Sequence, residues 1–185
     1  MRKTLLATAT ALALSASMTA MAASHSEAIK VGVILGFTGP IESLTPTMAD
    51  SAELAFKEAS ESGALLDGKK IEAVRADTTC VDAAVASSAA ERLVTSEKVV
   101  AMVGAACSGS STAIATKVAA ANGVAMISPS STSPALTTVE DNGMFFRTAP
   151  SDARQGEVLA GIVIDRDIKE VAITYTNNDY GKGLA

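Results

Sequence analysis

Tryptophan is absent from the 185-residue sequence, aromatic residues make up only 3% of it, and histidine occurs once, at His25. With one imidazole, and two cysteines that lack Cys-x-x-Cys spacing, a zinc site has too few ligands. A Ser-His-Asp triad cannot be assembled from this stretch either, and Gly-x-Ser-x-Gly is missing. So is G-x-x-x-x-G-K-[ST], and Gly32, Gly36 and Gly39 do not fit G-x-G-x-x-G, which leaves phosphates and dinucleotides without their usual cradle. The paired carboxylates Asp50/Glu53, Glu58/Glu61 and Asp165/Asp167 fall on predicted helix faces or ends and read as solvated surface. We therefore expect no catalytic centre, no metal and no cofactor. The scarcity of aromatic faces argues mildly against a sugar ligand, since pyranose rings stack on them.

Positive charge is also short: 15 Lys and Arg stand against 20 Asp and Glu. Two of the basic residues, Arg2 and Lys3, precede a mostly apolar run over residues 5–14, and Ala20-Met21-Ala22 is the small-x-small pattern that signal peptidase reads. Residues 1–22 are thus expected to be a cleaved signal peptide. The run is too short to span a bilayer, which takes about 20 residues. Without Arg2 and Lys3, 13 basic side chains face 20 acidic ones, a net of −7 over residues 23–185. Such a surface is unsuited to nucleic acid. With 48% hydrophobic residues the chain can build a core and does not read as disordered. These features predict an exported, soluble, globular protein.

Cys80 and Cys107 are the only cysteines, 27 positions apart. In an oxidising compartment thiols pair, and a disulfide closing this loop contributes about 3.5 kcal/mol on the chain-entropy model. Two buried free thiols are the alternative.

Hydrophobic periodicity predicts strands at residues 29–35 (IKVGVIL), 71–76 (IEAVRA), 99–103, 124–127, 144–147 and 171–175. It predicts helices at residues 46–62, 81–97, 110–122 and 155–165, and a last one opening at Tyr180-Gly181-Lys182-Gly183. Strands alternating with helices at this spacing make right-handed βαβ units around a parallel sheet. The wholly apolar strand at 99–103 is expected to be covered on both faces. The rhythm breaks at the polar loop 128–138 (SPSSTSPALTT), and residues 149–152 read as a crossover with a helix N-cap. The one strand and two partial helices beyond this crossover cannot form a core of their own. The chain is therefore read as an N-terminal fragment, with residues 23–148 a first, incomplete lobe and residues 149–185 the start of a second.

In an open parallel sheet, ligands bind beyond the carboxyl ends of the strands. The loops there are residues 36–44 (GFTGPIESL), 78–80 (TTC), 104–112 (GAACSGSST) and 128–133 (SPSSTS). The last two are dense in small hydroxyls and carry no charge. Residues 108–112 also open a helix, where free N–H groups and the positive dipole end favour an anion. A carboxylate can be held there without lysine or arginine. The alternative role for the same serines is as N-caps and turn formers.

Taken in order, the signal peptide, IKVGVILGFTGP, a cysteine after the second strand, AACSGSS, GVAMISPSSTSPALT, FFRTAPSDARQG and VAITYTNNDYGKGLA resemble the periplasmic leucine/isoleucine/valine-type binding proteins. These are the substrate-binding components of branched-chain amino acid ABC importers. The resemblance runs from about Ile29 to Ala185. It implies a type I periplasmic-binding-protein fold of the α/β class, with two Rossmann-like lobes joined by a hinge, the second truncated in this chain. It implies a Cys80–Cys107 disulfide. Ser108 matches the serine that takes the ligand carboxylate through its hydroxyl and backbone N–H, with Ser110 the alternative if one residue is inserted. Ser130 falls where a backbone carbonyl accepts from the ligand ammonium, Ser131 lies beside it, and Thr132 falls where a threonine meets both carboxylate and amine. Tyr180 matches a tyrosine of the second lobe that closes over the ligand. The acidic residue that neutralises the ammonium is expected beyond Ala185. Leu44 stands where leucine-binding members often carry an aromatic residue, which leaves the ligand open among amino acids, amides, urea and aromatic acids. The implied function is capture of an amino acid or similar small carboxylate or amide in the periplasm and its delivery to a membrane ABC permease, without catalysis. An exported sensor lobe serving a receptor and an exported α/β enzyme are the alternatives.

Overall fold

The computed structural model describes residues 28–65 and 68–185; the signal-peptide reading of residues 1–22, and His25, lie outside them. Five strands form one sheet: β1 (Ile29–Leu35), β2 (Ile71–Asp77), β3 (Ala101–Gly104), β4 (Ala125–Ser128) and β5 (Phe145–Arg147). Their order is β2-β1-β3-β4-β5, and every neighbouring pair is parallel. The helices between them are α1 (Thr45–Glu61), α2 (Ala83–Thr95) and α3 (Ser108–Ile114), the last running through a π-helical stretch (Ala115–Ala119) into α4 (Ala120–Asn122). Then come α5 (Asp152–Asp165) and α6 (Asp179–Leu184).

The handedness of the crossovers explains which face each helix covers. The chain steps from β1 to β2 in one direction, then back past β1 to β3 and onward to β4. Right-handed connections therefore place α1 on one face and α2 and α3 on the other. The alternating side chains of β1 show both faces filled. Ile34 packs with Ala86, Ala90, Leu93, Met102, Ile114 and Val118, whereas Val33 and Leu35 pack with Ala49, Met48 and Phe56. Val33, Val103, Ile127 and Phe146 lie in register on the α1 face. Exposure along this row rises from 0% at Val33 to 40% at Ile127 and 54% at Phe146, because α1 packs only on the β1–β2 end of the sheet.

Capping residues fix the helix starts and move some of the expected ones. Asp82 accepts from the N–H groups of Ala84 and Val85, so α2 opens at Ala83 rather than at 81. Ser151 caps α5, which opens at Asp152, three residues ahead of the expected 155. Gly123, with φ of 64°, closes α4 in the left-handed conformation. Asp50 and Glu53 lie at the surface as expected, their side chains 68% and 34% exposed, and both bind Arg75 of β2, at 2.7 and 2.6 Å, tying α1 to the edge strand. Within β3, Met102 is buried while Ala101 and Val103 are half-buried, and Val100, outside the strand, is exposed, so coverage of both faces is only partial. The strand expected at 171–175 does not form. Val171, Ile173 and Tyr175 are exposed and join no ladder, and an extended segment with no neighbouring strand has no partner for its backbone groups. Among the described residues no helix is long and apolar enough to cross a membrane.

Candidate ligand-binding site

The strand order reverses between β1 and β3, and the crevice at such a switch point is where open α/β sheets bind ligands. Four loops meet at this carboxyl edge, and two devices hold them. The first is a disulfide between Cys80 and Cys107, with Cα atoms 5.6 Å apart. It joins the loops after β2 and β3 across the end of β1, which lies between them. A Cβ on Gly36, the residue following β1, would stand 2.8 Å from Cys80 Sγ, so only glycine fits beneath the bridge. The second device is Asp77, whose carboxylate accepts from the Thr38 hydroxyl at 2.6 Å and from the Thr79 N–H at 2.8 Å. Burial pushes this carboxyl up, but hydrogen bonds from Thr38, Thr79 and Phe37 outweigh it and hold it below its ordinary value.

At the end of β3, Gly104 takes a φ of 137°, and a Cβ there would overlap the Ile34 carbonyl oxygen. The turn directs the carbonyls of Ala105 and Ala106 into the serines of the next two loops. Ala105 O accepts from the hydroxyls of Ser111 (3.1 Å), Ser128 (2.6 Å) and Ser131 (3.2 Å). Ala106 O accepts from Ser130 at 2.8 Å. Ser111 Oγ and Ser131 Oγ also lie 2.7 Å apart, and because each owns one hydrogen, one of them donates to the other while the second donates to a carbonyl. The loops after β3 and β4 are thus sewn together by buried hydroxyls, each with a partner, as buried polar groups require.

This seam sorts the expected site residues by what their polar atoms still have free. The hydroxyls of Ser130 and Ser131 are committed to the Ala105 and Ala106 carbonyls, while the Ser130 carbonyl accepts no hydrogen bond among the described residues. Ser108 and Ser110 are buried, 2% and 4% exposed. Ser108 Oγ accepts from the Ser133 N–H at 3.2 Å and keeps its own hydrogen, and the Ser110 hydroxyl bonds to nothing among the described residues. Both stand at the start of α3, whose first N–H groups have no helical acceptor. The Thr132 hydroxyl donates to Asp152 Oδ2 at 2.7 Å. These five residues are brought together. Leu44 is not part of the cluster: it precedes α1 at the carboxyl edge of β1, 54% exposed.

α6 reaches the same edge, where a Cβ on Gly183 would stand 2.9 Å from Ser133 Oγ and one on Gly109 would stand 3.7 Å from Asp179 Oδ2. Tyr180, however, lines an apolar hollow with Leu159, Tyr175 and Leu184 on the α5 side, and makes no hydrogen bond to the serines. Three residues of the site were not singled out from the sequence. Ser111 is the centre of the seam. Arg147 donates to the Ser133 carbonyl at 2.8 Å and to the Thr137 hydroxyl at 2.6 Å, pinning the loop after β4. Asp152, read only as part of a crossover, is a buried carboxylate facing Thr132. Among the described residues no group of His, Cys, Asp and Glu is placed to hold a metal ion. The edge can instead offer hydroxyls and backbone N–H groups to an anion.

A family model described as periplasmic binding protein matches residues 28–185. An amino acid binding protein of Pseudomonas aeruginosa is 34% identical over 158 residues, covering 83% of this chain and 41% of the relative. A substrate-binding protein of a chemotactic signal transduction system in Halobacterium salinarum is 35% identical over 167 residues, covering 85% and 39%. Among solved structures, the branched-chain amino acid transporter substrate-binding protein of Streptococcus pneumoniae, in complex with isoleucine, superimposes with a TM-score of 0.67 at 34% identity, covering 76% of this chain and 39% of that one. The chain thus spans about two-fifths of the length of these relatives.

Proposed function

Because the chain belongs to the periplasmic binding protein family, we propose that it carries the first lobe, and the opening of the second, of an exported solute-binding protein. This protein captures an amino acid or similar small carboxylate or amide in the periplasm and passes it to a membrane ABC permease, with no chemistry of its own. The observation that carries this reading is the pair of hydroxyl hydrogens still free to donate, on Ser108 and Ser110, buried at the N-terminal end of α3 beside the seam of serines. That arrangement suits a carboxylate, which takes hydrogen bonds from hydroxyl and backbone N–H groups without a neutralising side chain.

We place the lobe boundary at residues 148–149. The exposed apolar residues Leu159, Ile164, Val171 and Ile173 beyond it support a second unit whose core includes more than these residues. The open row of Ile127 and Phe146 supports further covering of the first lobe as well. Binding then works by closure: the first lobe holds the carboxylate end, the second lobe closes over it, and contacts made only in the closed state drive the shift.

The test is a thermal-shift screen of the full-length native protein against the twenty amino acids, short amides, urea, aromatic acids and several sugars. A rise in melting temperature with one amino-acid or carboxylate class, with the ligand recovered unchanged, is expected. Conversion of the ligand, or a shift with sugars alone, contradicts the reading. The chemotaxis protein among the relatives favours one second reading, in which the loaded protein serves a receptor instead of a permease. A pull-down of the loaded form from membranes separates the two by which partner is retained.

A further inference from the structure

Asp152 is the one charged side chain that is buried among the described residues, at 4% exposure. It takes part in none of the ion pairs found there. It opens α5, where the chain leaves the sheet, and two hydrogen bonds tie it to the loop after β4. The Thr132 hydroxyl donates to Oδ2 at 2.7 Å, and the Asp152 N–H donates to the Thr132 carbonyl at 2.9 Å. The position at the start of a helix suits a carboxylate, because the dipole favours negative charge there. It does not account for a carboxylate oxygen turned onto a residue of the candidate site.

The polarity of that bond has a consequence for recognition. A hydroxyl owns one hydrogen and two lone pairs, and an ionised carboxylate owns no hydrogen at all. The hydrogen shared between Thr132 and Asp152 is therefore the threonine's, and Thr132 Oγ1 can offer only lone pairs to a third group. It accepts from an N–H and has nothing to give a carboxylate. Ser108 is the converse, since its oxygen accepts from the Ser133 N–H and its hydrogen is still free to donate. A buried negative charge without a cation is costly unless an opposite charge arrives to pair with it.

We infer that Asp152 selects the ligand class: by committing the Thr132 hydrogen and by holding beside it a carboxylate that is in no ion pair, Asp152 fits the site to a solute bearing an ammonium next to its carboxylate, an α-amino acid, over an amine-free acid of the same shape. The inference rests on the solute-binding reading above. It assigns the dual contact expected of Thr132 to the amine alone and leaves the carboxylate to Ser108, Ser110 and the start of α3. Asp152 acts here as a specificity-determining residue, partly through Thr132.

The test is calorimetric titration of the full-length native protein and its variants with the twenty L-amino acids. The tightest binder is then paired with its amine-free acid: 4-methylpentanoate for L-leucine, 3-phenylpropanoate for L-phenylalanine, and so on. Wild type is expected to prefer the amino acid strongly. Asp152→Asn, whose amide can donate to Thr132 and reverse the bond, is expected to weaken the amino acid by about 30-fold or more while changing the amine-free acid far less. Thr132→Val is expected to behave likewise and Thr132→Ser to retain the preference, so the threonine variants carry the test should Asp152→Asn fail to fold. A variant that weakens both ligands equally shows a purely structural clamp and overturns the inference. So does a wild type that binds the amine-free acid as tightly as the amino acid. If neither class binds wild type, the solute-binding reading itself fails and takes the inference with it.

Discussion

Breaking the Cys80–Cys107 bridge tests how the binding edge is held. The two cysteines are 27 positions apart in sequence and their bond spans the end of β1, joining loops that no strand pairing connects directly. For a loop of this length the restriction of the unfolded chain stabilises the fold by about 3.5 kcal/mol. For a protein or domain of this size, 1 kcal/mol moves the melting temperature by about 2–4 °C, so reduction should lower it by about 7–14 °C. The assay is differential scanning calorimetry of the full-length protein, oxidised and reduced, alongside the Cys80→Ser/Cys107→Ser variant. Comparing oxidised with reduced wild type isolates the cross-link, because the sulfur atoms stay in place. The reduced protein and the double variant should melt close together, both well below the oxidised form. A reduced protein that melts within about 2 °C of the oxidised one, or two reactive thiols titrated in the native protein, would refute the argument.

Other outcomes rest on the same geometry. Ser111→Ala removes one of the buried hydroxyls packed on the Ala105 carbonyl and the partner of Ser131; urea denaturation should show a loss of about 1–3 kcal/mol, and an unchanged midpoint would remove Ser111 from the seam. Asp77 has a folded pKa below its unfolded one. Its stabilisation is therefore present above the unfolded value, about 3.9, and is lost as pH falls through the depressed folded value. Melting temperature should fall on acidification below about pH 4, and less steeply in Asp77→Asn; equal slopes would show that this carboxylate is not the cause. Thr132→Ala in the full-length protein should weaken amino-acid binding by about 1.5–3 kcal/mol through a lost bond to a charged group, and unchanged affinity would take Thr132 out of the site.

Much of the fold was legible because its signals are local. The β-branched run of β1, the spacing of Met48, Ala52 and Phe56 on α1, and Gly123 at the end of α4 each state their own structure. The compartment and spacing of the cysteines prompted the disulfide, and the resemblance named it. The strand expected at 171–175 failed because a strand is a property of a pair, and apolar alternation says nothing about whether a neighbour is present. The serines show the same limit at the site. Their number marks the right two loops, yet which ones face inward depends on the turn at Gly104, which aims two carbonyls at Ser111, Ser128, Ser130 and Ser131. Asp152 was hidden because a polar residue just ahead of a helical pattern reads as a cap. Only the fold brings it to Thr132, 20 positions earlier in the sequence.

The central claim is that the carboxyl edge of β3 and β4 holds the carboxylate end of a small solute. The most direct measurement is a crystal structure of the full-length protein with the amino acid that raises its melting temperature most. The account predicts the ligand carboxylate within hydrogen-bonding reach of Ser108 or Ser110 and the first N–H groups of α3, with the ammonium towards Thr132 and Asp152. A ligand seated instead in the apolar hollow beside Leu159 and Tyr175, or one whose carboxylate faces Asp152, would contradict it.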